Sequence, residues 1–242
     1  MAASKYIRAT VLLLTTLCAG SGFAVYNEDP MEDLNRNLYE TNRVIDGMYI
    51  KPVTRAYEKV LPLPAKMSVS NFVSNLGDVP VAANGILQGK FDQGLRDLVR
   101  FGVNSTLGLL GIFDVASEIG LEQHTEDFGK TMYKWGWKKS AYFVIPVLGP
   151  STFRDAVGIV GNLFLSPSSY FKPKWRNRYY VMALVNRRSH ASEFEGVVNV
   201  AGVNNYNLVR SGYLQNRAFV LSDGKISAQT NTGTDVMGEP PA

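Results

Sequence analysis

The chain has 242 residues, 45 % of them hydrophobic and 19 % charged, which leaves room for one large domain or two small ones and argues against disorder. Its formal charge of +4 includes Lys5 and Arg8 of a leader, and removing these two from the 25 basic residues leaves 23 against 21 acidic. That balance excludes a nucleic-acid footprint, which takes a clustered basic face, and leaves a mild attraction to anionic lipid.

Lys5 and Arg8, the apolar run Val11–Leu17 and the small residues after it form a secretory signal pattern, with Gly22 and Ala24 ahead of a cut before Val25. The expected division is a signal peptide at 1–24, a helical domain at 25–221 and a disordered Gly/Thr/Ser-rich tail at 222–242. Cys18 is the single cysteine, so no intrachain disulfide can form.

Asp29-Pro30-Met31-Glu32 reads as a helix start, with Asp29 as cap, Pro30 first and Glu32 in capping-box position. Met31, Leu34, Leu38, Ile45 and Met48 then recur on one apolar face. Pro52, Pro62, Pro64 and Pro80 predict short helices, one from Pro64 through Leu76 and one capped by Asp78 that ends near Gly85 or Gly89. From Phe91, the positions Leu95, Leu98, Val99 and Phe101 predict a further helix, with Arg96 and Arg100 on another face.

Leu107–Gly120 is fourteen residues, short of the roughly 20 that span a bilayer as a helix, and reads as a core helix or as a re-entrant or interfacial segment. Ala156–Leu165 is a second such piece, with Ser151 as its expected cap. Gly108/Gly111 and Gly158/Gly161 would let two helices approach closely. Trp175–Val200 holds long helical stretches, with a break expected near Ser189–Ser192 and Arg176, Arg178, Arg187 and Arg188 exposed, and Asn205–Leu221 a last helix with Tyr206, Val209 and Tyr213 on one side. No alternating strand pair with a hairpin signal stands out, so the expected class is all-α.

The stretch Glu126–Asp155 gathers Phe128, Tyr133, Trp135, Trp137, Tyr142, Phe143 and Phe153 close to several lysines. Trp and Tyr beside Lys on a glycine-articulated segment suit a membrane–water boundary, and an aromatic core under a long loop is the alternative. Within it, Trp135, Tyr142, Phe143, Pro146, Gly149 and Arg154 are the candidate lining of a lipid path. Arg154 offers charge-assisted bonds to a lipid phosphate, or a structural pairing with Asp155 or another acid.

Chemistry is hard to place. Ser151 in G-P-S-T-F is half of a nucleophile elbow, and neither His124 nor His190 sits in a recognisable motif. His124 near Glu126 and Asp127 reads as a solvated helix start rather than a metal site. No enzyme, metal or cofactor is expected, although a lipid hydrolase built on Ser151 stands as a minor alternative.

Several spaced motifs carry a resemblance. D-F-G-x-T (Asp127–Thr131), W-G (Trp135–Gly136) and P-x-L-G-P-S-T-x-R-D (Pro146–Asp155) resemble the signature of the MlaA/VacJ family, as do D-P-x-E-x-x-N-R (Asp29–Arg36), Tyr49–Val53, N-F-x-x-N-L (Asn71–Leu76), Leu87–Gly89 and, less specifically, Tyr206–Phe219. The resemblance covers about Asp29 to Phe219. It implies a ring-like bundle of short amphipathic helices embedded in or on the outer membrane of a Gram-negative cell. Such a protein, held by trimeric porins on the periplasmic side, would remove misplaced phospholipid from the outer leaflet and pass it to a soluble periplasmic carrier. A membrane-surface adaptor without a lipid path of its own is the other reading. Family members are commonly lipoproteins anchored through a cysteine; here Leu17 before Cys18 departs from the usual small residue, and the expectation is a cut before Val25.

Overall fold

A computed structural model describes residues 28–192 and 205–225; the expected signal peptide, Cys18 and the tail beyond residue 225 lie outside the described residues. Helix α1 (Glu32–Ile45) passes through one π-helical turn (Asp46–Ile50) into α2 (Lys51–Val60). Then come α3 (Leu63–Leu87), α4 (Phe91–Thr106), the short α5 (Val115–Glu118) and α6 (Phe128–Lys134). Strands β1 (Tyr142–Ile145) and β2 (Gly149–Thr152) follow, then α7 (Phe153–Leu165), a 3-10 turn (Pro167–Tyr170), α8 (Pro173–Ser192) and α9 (Asn205–Leu221).

The fold is mostly helical, but the all-α expectation needs one correction. β1 and β2 pair antiparallel, with Tyr142 opposite Thr152 and Ile145 opposite Gly149, inside the segment read as a glycine- and proline-articulated loop. Pro150 is tolerated because it sits on a two-stranded edge, where its missing N–H breaks no central ladder.

The proline boundaries also need revision. Pro80 lies inside α3, which runs through it for 25 residues. Its ring forfeits one backbone bond, yet α3 packs closely along α4, and the Asn84 amide donates back to the Pro80 carbonyl at 2.8 Å. Asp78, read as a cap, is buried and stands 3.2 Å from the Arg100 guanidinium. Met31 rather than Asp29 stands at the cap position of α1, and the buried Asp29 carboxylate accepts from Asn35, Tyr206 and Arg210. Thr152, not Ser151, caps α7, accepting from the Asp155 N–H.

Leu107–Gly120 is not one helix. Residues 107–113 turn back on themselves, with Leu109 and Leu110 at positive φ, before the single turn of α5. Leu107, Leu109, Leu110, Ile112 and Phe113 are all exposed, which overturns the core-helix reading. The paired-glycine expectation is met differently: a Cβ on Gly158 would come within 2.5 Å of the Gly129 N, so α7 crosses α6 at backbone contact. Gly111 packs instead on the Asn75 side chain of α3.

Burial runs opposite to that of a water-soluble core. Among the described residues, eighteen polar or charged side chains are buried against seven apolar ones, while 32 large apolar side chains are exposed. Helix α4 shows the pattern along its length. Gly94, Asp97, Arg100 and Asn104 face inward at three- and four-residue steps, and Phe91, Leu95, Leu98 and Val99 face out. Each exposed side chain of this size forgoes on the order of 2 kcal/mol of burial in water. No helix among the described residues is long and apolar enough to cross a membrane.

Candidate functional site

The β1–β2 hairpin is held from both sides. Asn35 of α1 donates to the Tyr142 carbonyl at 3.2 Å and accepts from the Val144 N–H at 2.9 Å, so it acts as a surrogate strand for the outer edge of β1. One heptad on, Asn42 donates to the Ile145 carbonyl at 2.9 Å and accepts from the Val147 N–H at 2.7 Å. Spacing of seven residues puts both amides on one face of α1. Tyr142 and Val144 are fully buried under this clamp, against Tyr206 and Tyr213 of α9. Burial, then the nearby Asp29 carboxylate, push the Tyr142 hydroxyl up to about 12. Burial opposes ionisation of Asp29, but bonds from Tyr206, Asn35 and Arg210 outweigh it and hold that carboxyl below its ordinary range.

Beneath the hairpin lies an ion cluster that links distant motifs. Arg217 of α9 forks onto Asp127 at 2.6 and 2.8 Å and reaches Asp155 at 2.6 and 2.9 Å, and the Tyr213 hydroxyl donates to Asp155 at 2.8 Å. Burial works against the charge on Arg217, but the two carboxylates raise its pKa above the ordinary value. Gly129 is required here, since a Cβ on it would meet Asp155 at 2.4 Å and Arg217 at 2.7 Å. Asp223, expected in the tail, is also engaged: it takes bonds from Lys134 at 2.9 Å and Lys130 at 2.8 Å, and from Lys90.

The hairpin tip stays outside this packing. Ile145 and Gly149 pair, so Pro146, Val147 and Leu148 form the exposed turn, with Val147 at φ 68° and Gly149 at φ 88°. The tip borders a cleft of about 250 Å3 walled by Tyr39, Arg43 and Asp46, by Ile50, and by Leu184, Arg187 and Arg188 of α8. Arg188 is paired with Asp46 at 2.7 and 2.9 Å, Arg43 with Glu40 at 3.1 Å, and Arg187 forms no ion pair among the described residues. The cleft is apolar on the hairpin side and cationic on the helix side.

The six candidates therefore separate. Pro146 and Gly149 belong to the tip, and Phe143 is half-buried, stacked on Phe153 with centroids 5.1 Å apart. Trp135 is exposed at the end of α6, where its indole N–H donates to the Leu87 carbonyl at 3.1 Å. Tyr142 and Arg154 are interior. The Arg154 guanidinium contacts Asp155 at 3.3 Å and donates to the carbonyls of Trp137 and Lys138, which matches the structural pairing weighed for it. Asn35, Asn42 and the Arg43, Arg187 and Arg188 wall were not anticipated; only the Asn35 place in D-P-x-E-x-x-N-R offered a signal. Ser151 donates to the Thr152 carbonyl at 3.2 Å, while His124 and His190 are bonded to Asp97 and Ser70.

A profile of the MlaA lipoprotein family matches residues 27–220. The chain belongs to that family. It is 31 % identical over 240 residues to the intermembrane phospholipid transport system lipoprotein MlaA of Escherichia coli K12, covering 96 % of this chain and 95 % of that one. An uncharacterised protein of Rickettsia bellii is 31 % identical over 192 residues, covering 78 % of this chain and 75 % of that one. A solved chain from work on the structural basis for maintenance of bacterial outer membrane lipid asymmetry superposes with a TM-score of 0.72 at 28 % identity, covering 81 % of this chain and all of the other. In this MlaA-family chain, four of the spaced motifs, Asp29–Arg36, Asp127–Thr131, Pro146–Asp155 and Tyr206–Phe219, meet in space at the hairpin, Asn35 of its clamp and the Arg217 cluster.

Proposed function

We propose that this protein sits in the outer membrane, takes misplaced phospholipid from the outer leaflet at the hairpin-tip cleft, and passes it to a soluble periplasmic carrier. One observation carries the reading: the burial pattern is inverted, with polar side chains inside and large apolar ones outside. Lipid replaces water as the favourable surrounding for Phe91, Leu95, Val99 and the Leu107–Phe113 turn. Irregular backbone at membrane depth is tolerated where it is buried or lines a polar cavity, which suits a hairpin packed on α1. The cleft offers an apolar wall for acyl chains and cations for a phosphate, while the helices around it form the ring. Trimeric porins are the proposed support, contacting the exposed apolar faces.

The test is outer-leaflet phospholipid in cells that lack the endogenous protein and express the Val147→Asp, Leu148→Asp variant. At normal abundance and with normal porin association, surface phospholipid should rise to the level of the empty strain. Wild-type lipid asymmetry in that variant would favour a membrane-surface adaptor without a lipid path.

A further inference from the structure

Four cations, Lys172, Lys174, Arg176 and Arg178, fall within seven positions at the start of α8, and none forms an ion pair among the described residues. No Asp or Glu occurs between Asp155 and Glu193. The buried cations are matched instead: Arg217 by two aspartates, Lys130 by Glu126 and Asp223, and Arg100 by Asp78 and Asp114. The uncompensated patch is flanked by exposed Tyr170 and Trp175, and the Arg178 guanidinium lies 5.1 Å from the Trp175 ring centre.

An apolar groove of about 670 Å3 adjoins it. Arg178, Val181, Met182 and Val185 line it from α8, and Val53 and Val60 from α2. Its size falls among small-molecule sites, roughly 300–1,000 Å3. From Arg178 to Val185 it follows α8 for about 10 Å, at 1.5 Å per residue. It shares no lining residue with the hairpin-tip cleft.

We propose that the Lys172–Arg178 patch and this groove form one binding site for an anionic phospholipid. The headgroup phosphate rests on Arg178 and Lys174, and an acyl chain lies along Val181, Met182 and Val185. Guanidinium donors match a phosphate in a bidentate fork, and the flanking Trp and Tyr rings suit headgroup depth. The groove lining supplies almost no backbone-pairing groups, so an extended acidic peptide would leave its own polar atoms unpaired there. A zwitterionic headgroup brings a cation of its own to the unmatched Lys174 and Arg178, which share one face of α8 at a spacing of four, and this sets the preference for net-negative lipid. The site does not depend on whether the chain moves lipid.

The experiment is native mass spectrometry of the full chain in neutral detergent, titrated separately with phosphatidylglycerol and phosphatidylcholine of equal chain length. One retained phosphatidylglycerol is expected. The Lys172→Gln, Lys174→Gln, Arg178→Gln variant should lose its preference over phosphatidylcholine by roughly a hundredfold, which is about 3 kcal/mol at about 1 kcal/mol per cation. Val181→Asn should weaken retention of both lipids, with circular dichroism unchanged. Inorganic phosphate at millimolar concentration should not displace the lipid. Equal retention of both lipids, an unaltered triple variant, or displacement by phosphate would each overturn the proposal.

Discussion

Asn35 and Asn42 stand one heptad apart on α1, and each holds one carbonyl and one N–H of the β1 strand and its turn. The two are not equal. Asn35 is fully buried and also bonds the Asp29 carboxylate at 2.7 Å, whereas Asn42 is half-exposed near the tip. Leaving a buried backbone group unpaired costs about 1–3 kcal/mol. Asn35→Ala should therefore destabilise the whole domain by several degrees in a detergent thermal melt. Asn42→Ala should melt close to the wild type, yet loosen the tip and raise outer-leaflet phospholipid. Equal melting losses for the two would show that the clamp acts as one structural unit.

Gly149 has a positive φ, and a Cβ placed there would meet nothing within 4 Å. Any penalty at this position is thus backbone strain alone, on the order of 1–2 kcal/mol for an L-residue and worse for a β-branched one. Lipid asymmetry should fall in the order Gly, Asn, Ala, Val, because Asn tolerates the left-handed region best among them. A flat series, scored as outer-leaflet phospholipid at equal abundance, would remove the turn geometry from the function.

Helix boundaries were legible wherever apolar spacing reported a continuous face, as in α1, α4 and α9. The hairpin was not, because β2 reads Gly-Pro-Ser-Thr, which lacks β-branched or aromatic pairing until its end. Val147 supplies a positive φ at a turn position where Gly or Asn would have signalled one. Periodicity also shows that a face is apolar without showing what it meets, so α4 gave no hint that Arg100 and Asp97 point inward. The Arg217 cluster joins residues 62 and 90 positions apart, and only the spaced motifs hinted that Asp127 and Asp155 belong together.

Removing Arg217 tests that cluster. Asp127 would be left without its cation and Asp155 with only the 3.3 Å contact from Arg154, a loss of about 3 kcal/mol or more. Arg217→Met should lower the denaturation midpoint strongly. Arg217→Lys should recover little of it, since an ammonium cannot fork onto two aspartates. Adding Asp127→Asn and Asp155→Asn to Arg217→Met should restore part of the lost stability. If the triple variant is no better than Arg217→Met, unpaired charge is not the cause of the loss.

A pH effect follows from Asp78. Burial, the largest influence, pushes its carboxyl from 3.8 up to about 6; Arg100 and Gln123 pull it down, and Asp97 and Asp114 add to the rise. Arg100 is shared, forking onto Asp114 at 2.7 Å on both oxygens. Asp114 also feels burial, but bonds from Ser117, Arg100 and Asn104 outweigh it and hold it at about 2. The folded chain therefore binds a proton at Asp78 more readily than the unfolded chain does. Acidification between about pH 6 and pH 4 favours folding through this group, and above pH 6 its charge costs stability. Asp78→Asn keeps the shape and removes that dependence. In thermal melts, the wild type should gain on the variant as pH falls from 7.5 to 5. A wild-type advantage that stays constant over this range would mean that Asp78 remains ionised against Arg100, and that the polar interior of α3 and α4 is held by a charge pair rather than by a protonated acid.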